Sequence, residues 1–371
     1  MLEKKLRPLL KLDWISFVAM LSLVTIGLIM IFSTSSVVGM SYYNDGYFFI
    51  RKHLMFLAAG TLAFILGCIV PHHQYKKFAI AGLLFSLFLL VGTLIPGWQI
   101  QAGGATRWIN LGLFQLQPVE VVKFFVVVYL SLFLENRPNA LRYFGKGVLP
   151  VLVLLLFPLL LLAKQPDLGN LLLVLMIAFL FIFVGGIAWR LLIGLFGAAA
   201  IVVGAYILRN PYQIDRIKTF LFPWSDPLGK SYHIIQSFIT IGSGGFWGRG
   251  IGEGKLKYFY LPMQYTDFIF AIICEEGGFL LAGVVIALFG VLFYRGLYIA
   301  LKSQRPFSFY LGFGITFLLI IQALINIGVV IGVFPVTGIP LTFISFGGTA
   351  LIMSMFYVGV LQNIYKTNAS E

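Results

Sequence analysis

Apolar runs dominate the chain, and polar residues fall between them in short clusters. Ten runs stand out, at 14–34, 53–70, 77–95, 117–135, 147–163, 168–186, 188–208, 267–299, 307–333 and 340–364. Each approaches or exceeds the roughly 17–25 residues that carry an α-helix across a bilayer. The runs at 267–299 and 307–333 are long enough to tilt or to extend beyond the hydrocarbon. The pattern predicts an all-α polytopic membrane protein, a single transmembrane domain over 1–371. Its ten helices leave a large extracytoplasmic loop, 209–266, between the seventh and the eighth.

Ten spans put both termini on one side, and the basic residues test that topology. Fourteen lysines and arginines, Lys4, Lys76, Arg142 and Arg295 among them, fall on the N-terminal side. The short loops of the other side carry four: Arg51, Lys52, Arg107 and Lys164. Positive charge gathers on the cytoplasmic side of short loops, so both termini are expected in the cytoplasm. The start, MLEKKLRPLLKLDW, resembles a signal peptide. The apolar run after it is long enough to span and lacks a small-residue cleavage site, so it reads as an uncleaved first helix.

Composition agrees with this reading. The chain is 60% hydrophobic and 11% charged, with 40 Gly and 15 Pro, whereas soluble domains run near 25% charged. The net charge of +13 is spread over short loops instead of forming one basic face, which argues against nucleic-acid binding. The two cysteines, Cys68 and Cys274, lie inside apolar runs and read as small core residues. The four histidines, His53, His72, His73 and His233, show no metal-ligand spacing.

Charged residues at membrane depth are costly unless they face a partner or a cavity, and they supply the candidate chemistry. In TDFIFAIICEE (266–276), Asp267 is either a helix cap or a general base at a water-accessible cavity. Glu275 and Glu276 read as partners within the bundle. In QPVEVVK (117–123), Glu120 and Lys123 at i, i+3 either neutralise each other or line a polar cavity. In KQPDLG (164–169), Asp167 reads as a helix N-cap and Lys164 suits a cap neighbour or an anionic head group. In the loop 97–117, Gly103 and Gly104 permit a tight turn, and the planar fork of Arg107 suits a phosphate. GSGGFWGRGIGEG (242–254) fits neither nucleotide-loop spacing; its glycines are expected to let backbone turn tightly beside the cavity. SYHIIQSFITI reads as an amphipathic helix on the membrane surface. VFPVTGIPLTFISFGG reads as broken helix lining the interior, with Gln322 and Asn326 adding a polar face or an interhelical hydrogen bond.

Taken in order, GATRWINLG with QPVEVVK, QPDLG, SDPLGKSYHIIQSFITIGSGGFWGRGIGEG, TDFIFAIICEE and VFPVTGIPLTFISFGG resemble the SEDS family (shape, elongation, division and sporulation). Its members include FtsW, RodA and SpoVE; the likeness covers nearly the whole chain and leans to FtsW and SpoVE. The resemblance implies a peptidoglycan glycosyltransferase of the cytoplasmic (inner) membrane. Such an enzyme polymerises lipid II, with inversion and loss of undecaprenyl diphosphate, beside a class B penicillin-binding protein and other divisome or elongasome proteins. It places the essential acid on Asp267. The expected substrate-binding set is Arg107, Trp108, Glu120, Lys123, Lys164, Asp167, Arg216, Ser243 and Gly244, with a divalent cation (Mg or Mn) as the cofactor it admits. Val119 replaces the usual Ser, and Tyr265 stands where many members have His. A lipid II flippase that uses Glu275 and Glu276 as a relay, and a non-catalytic scaffold, are the alternative readings.

Overall fold

The computed structural model describes residues 12–102, 105–110, 112, 115–255 and 265–369; the expected turn at Gly103 and Gly104 and the basic start lie outside them. The described residues form twelve α-helices and one small sheet. The helices are α1 (Trp14–Tyr43), α2 (Phe48–Ile69), α3 (Tyr75–Gly92), α4 (Pro118–Asn136), α5 (Leu149–Lys164) and α6 (Leu168–Val184). They continue with α7 (Trp189–Arg209), α8 (Pro211–Leu221), α9 (Tyr232–Gly244), α10 (Ile269–Leu301), α11 (Pro306–Val330) and α12 (Gly348–Asn368). Each of the ten apolar runs overlaps one helix, α1 to α7 and α10 to α12, and the last run begins in the connection ahead of α12. Seven helices are long and apolar enough to cross a membrane, and α6 is apolar but shorter. Three charges, Glu120, Lys123 and Glu135, fall within α4.

Local chemistry sets the helix starts. The Asp13 carboxylate accepts the Ser16 N–H at 3.1 Å and caps α1, and Asp167 does the same for α6 through Asn170. Proline opens α4, α8 and α11, where its missing N–H has no helical partner to lose. The connections gather at two ends. At one, Gln362 of α12 accepts the Asp13 N–H at 2.7 Å, Arg295 of α10 pairs with Asp13, and His72 bridges Asn363 and Ser308. At the other, Gln165 donates to Thr93, Gln117 N–H to Thr349 at 3.1 Å, and Phe346 N–H to the Tyr265 carbonyl at 2.9 Å. This alternation is the up-and-down topology that the apolar pattern predicts. The core runs through α4, α10, α11 and α12, whereas α7 has no buried residue; it packs on the bundle by partly buried side chains and by Phe196 against Phe179 of α6, and its Tyr206 hydroxyl donates to the Ala163 carbonyl.

The loop before α4 departs from an all-helical reading. Gln99–Ala102 (β1), Ala105–Asn110 (β2) and Gln115–Leu116 (β3) form an antiparallel sheet in the order β1-β2-β3, with Gln99 opposite Ile109. The period of two along a strand turns Arg107 and Ile109 to the buried face. The sheet was not foreseen because its strands are short and its pattern was read as a turn.

Two expectations for the 209–266 region are corrected. The helix α9 is amphipathic, but its face of Ile234, Ile235, Ser237 and Thr240 is buried within the protein instead of lying on lipid; the Ser237 hydroxyl donates to the Val330 carbonyl of α11 at 2.8 Å. The glycine segment 245–254 folds around a break in α10, not beside a cavity. At Gly278 the helix is interrupted, with φ 66° and ψ −168°. A break at membrane depth frees backbone groups that lipid cannot satisfy. The glycine segment satisfies them: Phe279 N–H and Leu280 N–H donate to the carbonyls of Gly245 and Phe246, and Arg249 N–H and Gly250 N–H donate to those of Glu275 and Glu276. The Glu276 carboxylate accepts from Gly252 N–H and Ser33 Oγ, and Glu275 accepts from Lys255 N–H. The two glutamates therefore pin the loop to the helix, in keeping with their reading as partners within the bundle.

A Cβ on Gly278 would lie 2.3 Å from the Gly248 nitrogen and 2.5 Å from the Phe246 oxygen, both rigid backbone. Gly278→Ala is expected to cost at least about 1–3 kcal/mol through strain alone and to lower the thermal midpoint in detergent. Gly283→Ala, where a Cβ meets nothing within 4 Å, serves as the control with little change. Equal midpoints for the two variants would refute the account of the break.

Candidate functional site

A cavity of about 490 Å³ opens where β2, α8, α9, the start of α10 and the α11–α12 connection meet. Its size falls within the roughly 300–1,000 Å³ of ligand pockets. Arg107 and Trp108 enter from β2, Tyr212, Asp215 and Arg216 from α8, and His233 from α9; Asp267 and Phe268 enter from the turn ahead of α10, and Phe334, Pro335, Val336 and Gly338 from the connection. The lining is apolar on the connection side and charged opposite it.

Asp267 lies two residues ahead of α10 and is fixed by its own backbone. Asn326 Nδ2 of α11 donates at 2.8 Å to the Asp267 carbonyl and at 2.8 Å to the Ile339 carbonyl. Ser345 Oγ donates to the Thr266 carbonyl at 2.6 Å and accepts the Leu341 N–H at 2.8 Å. These bonds stitch the acid's turn to the broken connection 331–347, which supplies the interior lining that its prolines and glycines predict. Gly338 has φ +76°, and a Cβ there would come 2.7 Å from Arg107 Nη1 and 3.7 Å from Asp267 Oδ2. One backbone point thus brings a guanidinium and the carboxylate to the same wall.

The charges of the wall are only partly matched. Arg107 is 7% exposed and its Nε stands 3.5 Å from Asp167 Oδ2. Its Nε and Nη2, like Arg216 Nη1, are buried without a hydrogen-bond partner. Buried donors left unmade cost about 1–3 kcal/mol each, more when charged, so this wall is built to receive an acceptor of negative charge. Burial pushes the Asp267 carboxyl above the usual carboxylate range, and the Arg107 and Arg216 guanidiniums pull it back. At the rim, Lys230 pairs with Asp215 at 2.6 Å and ties α8 to the segment ahead of α9.

The predicted residues therefore divide. Asp267, Arg107, Trp108 and Arg216 meet at the cavity. Asp167 stands behind Arg107 as the cap of α6, bonded to Asn170. Glu120 and Lys123 do not line the cavity: they form a buried ion pair of 2.6 Å. Lys123 Nζ also donates to Gln322 Oε1 at 2.9 Å, and Tyr357 Oη donates to the Glu120 carbonyl. Gln322 Nε2 in turn reaches the Pro340 carbonyl at 3.5 Å, so the pair supports the connection from behind. Lys123 is thereby removed from the cations expected to hold a phosphate. Lys164 is exposed at the end of α5 and is not part of the lining. Ser243 and Gly244 are likewise displaced, because α9 ends against α10: Ser243 Oγ donates to the Thr240 carbonyl, and a Cβ on Gly244 would meet the Cys274 oxygen at 1.9 Å.

Two contributors escaped the sequence reading. For Asn326 the sequence offers a polar face or an interhelical hydrogen bond, and its grip on the Asp267 carbonyl depends on a fold no spacing shows. His233 had no ligand spacing to single it out; its signal is its place beside Ile234 on an amphipathic helix. Tyr265 packs instead on Phe49 and Phe346. The lining donors do not fit a resident divalent ion. Asp215 is engaged by Lys230, two guanidiniums flank Asp267, and among the described residues no group of three or more His, Cys, Asp or Glu could hold a metal.

Fold and cavity together define a multi-pass membrane protein that keeps a partly desolvated acid between arginines at one end of its helices. The chain belongs to the cell cycle protein family of FtsW, RodA and SpoVE, which it matches over residues 13–370. It is 37% identical over 366 residues to the probable peptidoglycan glycosyltransferase FtsW of Trichlorobacter lovleyi, covering 98% of this chain and 96% of that protein. It is 38% identical to the stage V sporulation protein E of Bacillus subtilis, with 99% of both chains covered. Among solved structures it resembles a chain from work described as structural coordination of polymerization and crosslinking by a peptidoglycan synthase complex, with a TM-score of 0.78, 30% identity, and 97% and 99% coverage of the two chains. The rod shape determining protein RodA of Thermus thermophilus aligns with a TM-score of 0.70, 26% identity, and 97% and 98% coverage.

The buried pair makes its own prediction. Removing one partner of such a pair costs about 3–5 kcal/mol, whereas replacing both by apolar residues is often neutral. Lys123→Met alone is expected to lower the thermal midpoint sharply, and Glu120→Leu with Lys123→Met to recover most of the loss. A double variant as unstable as the single one would count against a structural role.

Proposed function

We propose that the protein is a peptidoglycan glycosyltransferase that polymerises lipid II at the outer face of the cytoplasmic membrane. The observation that carries this reading is one cavity wall holding Asp267 beside Arg107 and Arg216, whose buried N–H groups have no partner. The family's description as cell cycle proteins and the similar stage V sporulation protein E support a role in septal or cell-shape wall synthesis. In this reading residues 1–371 form one transmembrane domain of ten spans. Both termini are cytoplasmic and 209–266 is the outer loop, whose helices α8 and α9 line the cavity. A class B penicillin-binding protein is the proposed partner.

The chemistry follows from the wall. Asp267 accepts the proton of the acceptor sugar's 4-hydroxyl. The oxygen attacks the anomeric carbon of the donor from the face opposite its diphosphate, and the bond to undecaprenyl diphosphate breaks with inversion. Negative charge grows on the departing phosphates, and Arg107 and Arg216 stand where preorganised cations lower the barrier. The apolar side, Phe334, Pro335 and Val336, suits the prenyl chain. The flippase alternative relied on Glu275 and Glu276 as a relay, and both carboxylates are held by loop amides.

Asp267→Asn keeps the shape and removes the base. In purified protein with its partner and lipid II in detergent, glycan polymer is expected to fall by at least about 10²-fold with an unchanged thermal midpoint; undiminished polymer would remove Asp267 from the chemistry. The pH profile is a second test. Asp267 must be ionised to act, and its pKa is raised, so kcat/KM is expected to fall on the acid side at a pH above the ordinary carboxylate range. Arg216→Gln removes a cation that favours the carboxylate, which raises that pKa further and shifts the acid limb to higher pH. An acid limb that stays in place would mean that Arg216 does not act on Asp267.

A further inference from the structure

His233 occupies a position that the mechanism above leaves without a task. It is the second residue of α9, half-buried, and its ring lies parallel to that of Phe268, with 6.2 Å between centroids and 12° between planes. Phe268 is 2% exposed and follows Asp267 directly, so the stack fixes the imidazole against the residue that carries the acid's turn. The ring lines the same cavity as Asp267, and its Nδ1 is buried with no hydrogen-bond partner. A buried ring nitrogen without a partner forgoes a bond of about 0.5–1.5 kcal/mol. The other ring nitrogen, Nε2, is not enclosed, and with the ring's orientation held it is the one that an occupant of the pocket meets. Burial also drives the imidazole below its ordinary pKa, so near neutral pH it is an uncharged group with one donor and one acceptor nitrogen. A neutral ring of that kind is suited to a sugar hydroxyl or acetamido group, whereas the arginines opposite are suited to phosphate.

We infer that His233 is a specificity-determining contact of the Asp267 cavity, its Nε2 hydrogen-bonding a hydroxyl or acetamido group of the bound saccharide while its face is held by Phe268. The division of labour is then spatial. Arg107 and Arg216 read the charge of a lipid-linked diphosphate sugar, and His233 reads the sugar. Because α9 also carries Ser237, which donates to the Val330 carbonyl, the helix that presents the imidazole is anchored to the bundle instead of moving freely above the opening. The inference rests on the glycosyltransferase reading for the identity of the saccharide.

The test separates nitrogen from ring. Asn places an amide near the position of a histidine Nδ1, Gln reaches the position of Nε2, and Phe keeps the stack with no nitrogen. Each variant is compared with wild type as purified full-length protein with its partner in detergent. Thermal midpoint, lipid II affinity and initial polymerisation rate are read for each, and affinity is also read on the Asp267→Asn background. His233→Phe is expected to weaken lipid II binding and raise KM about ten-fold, the equivalent of about 1.4 kcal/mol, with kcat changed far less and the midpoint retained. His233→Gln is expected to recover most of the affinity and His233→Asn not to. A His233→Phe protein with wild-type affinity, or equal losses in all three variants, overturns the inference. A wild-type protein that binds lipid II but forms no polymer overturns the glycosyltransferase reading instead, and the affinity series on the Asp267→Asn background still decides the role of His233.

Discussion

The structure depends on finding partners for backbone that is not helical at membrane depth. Hydrocarbon offers no hydrogen bonds, so each freed amide must be met from within. Two interruptions are met in different ways. At Gly278 a second strand of chain, 245–254, runs against the break and exchanges four backbone hydrogen bonds with it. At 331–347 the partners are side chains, chiefly Asn326 of α11 and Ser345 of the connection itself. The first solution closes a break and the second holds one open. The cavity forms at the second because side-chain donors space the backbone from its neighbours, while paired backbone fills the gap.

The charged groups at this end of the molecule follow the same logic of satisfaction. Glu276 accepts from a backbone amide and a hydroxyl, and Glu120 is met by Lys123 at 2.6 Å. Both are buried and quiet. The electrostatic strength of such pairs comes with a desolvation cost of similar size, so they specify how elements meet more than they stabilise them. The Glu120–Lys123–Gln322 chain shows this: it runs from α4 through α11 to the carbonyl of Pro340 and sets the position of the connection that lines the cavity.

Much of this was legible in the sequence, and the limits have physical causes. The helices were readable because a run of apolar residues long enough to cross a bilayer has few other uses. Asp267 was readable because a carboxylate at the mouth of such a run must have a reason to be there. The sheet at 99–116 was hidden by its shortness. Ser243 and Gly244 were misplaced because a glycine-dense stretch signals a close approach of backbone without saying to what; the approach is to Cys274 and the break in α10. Lys123 was expected to reach a ligand, and i, i+3 spacing could not decide between that and a self-contained pair. His233 stayed invisible because its importance lies in a stack across two segments 35 residues apart, 233 to 268, which leaves no local pattern.

What distinguishes the cavity from the rest of the buried polar network is that its unmet groups are charged. Among the described residues the Asp267 backbone is held by Asn326 while no donor is fixed on its carboxylate, and the nearest guanidiniums keep unmade bonds. A fold selected for stability alone would close such gaps, as this one does around Glu120 and Glu276, because each costs on the order of 1–3 kcal/mol. The unmet groups of this wall face one volume and are of opposite charge. Pairing those groups directly would neutralise them in the ground state. Holding them apart by the backbone of Gly338 keeps both available, the acid for a proton and the guanidiniums for charge that develops later. That separation, set by uncharged residues on α11 and the connection, is what turns a polar interior into a place where bonds can be exchanged.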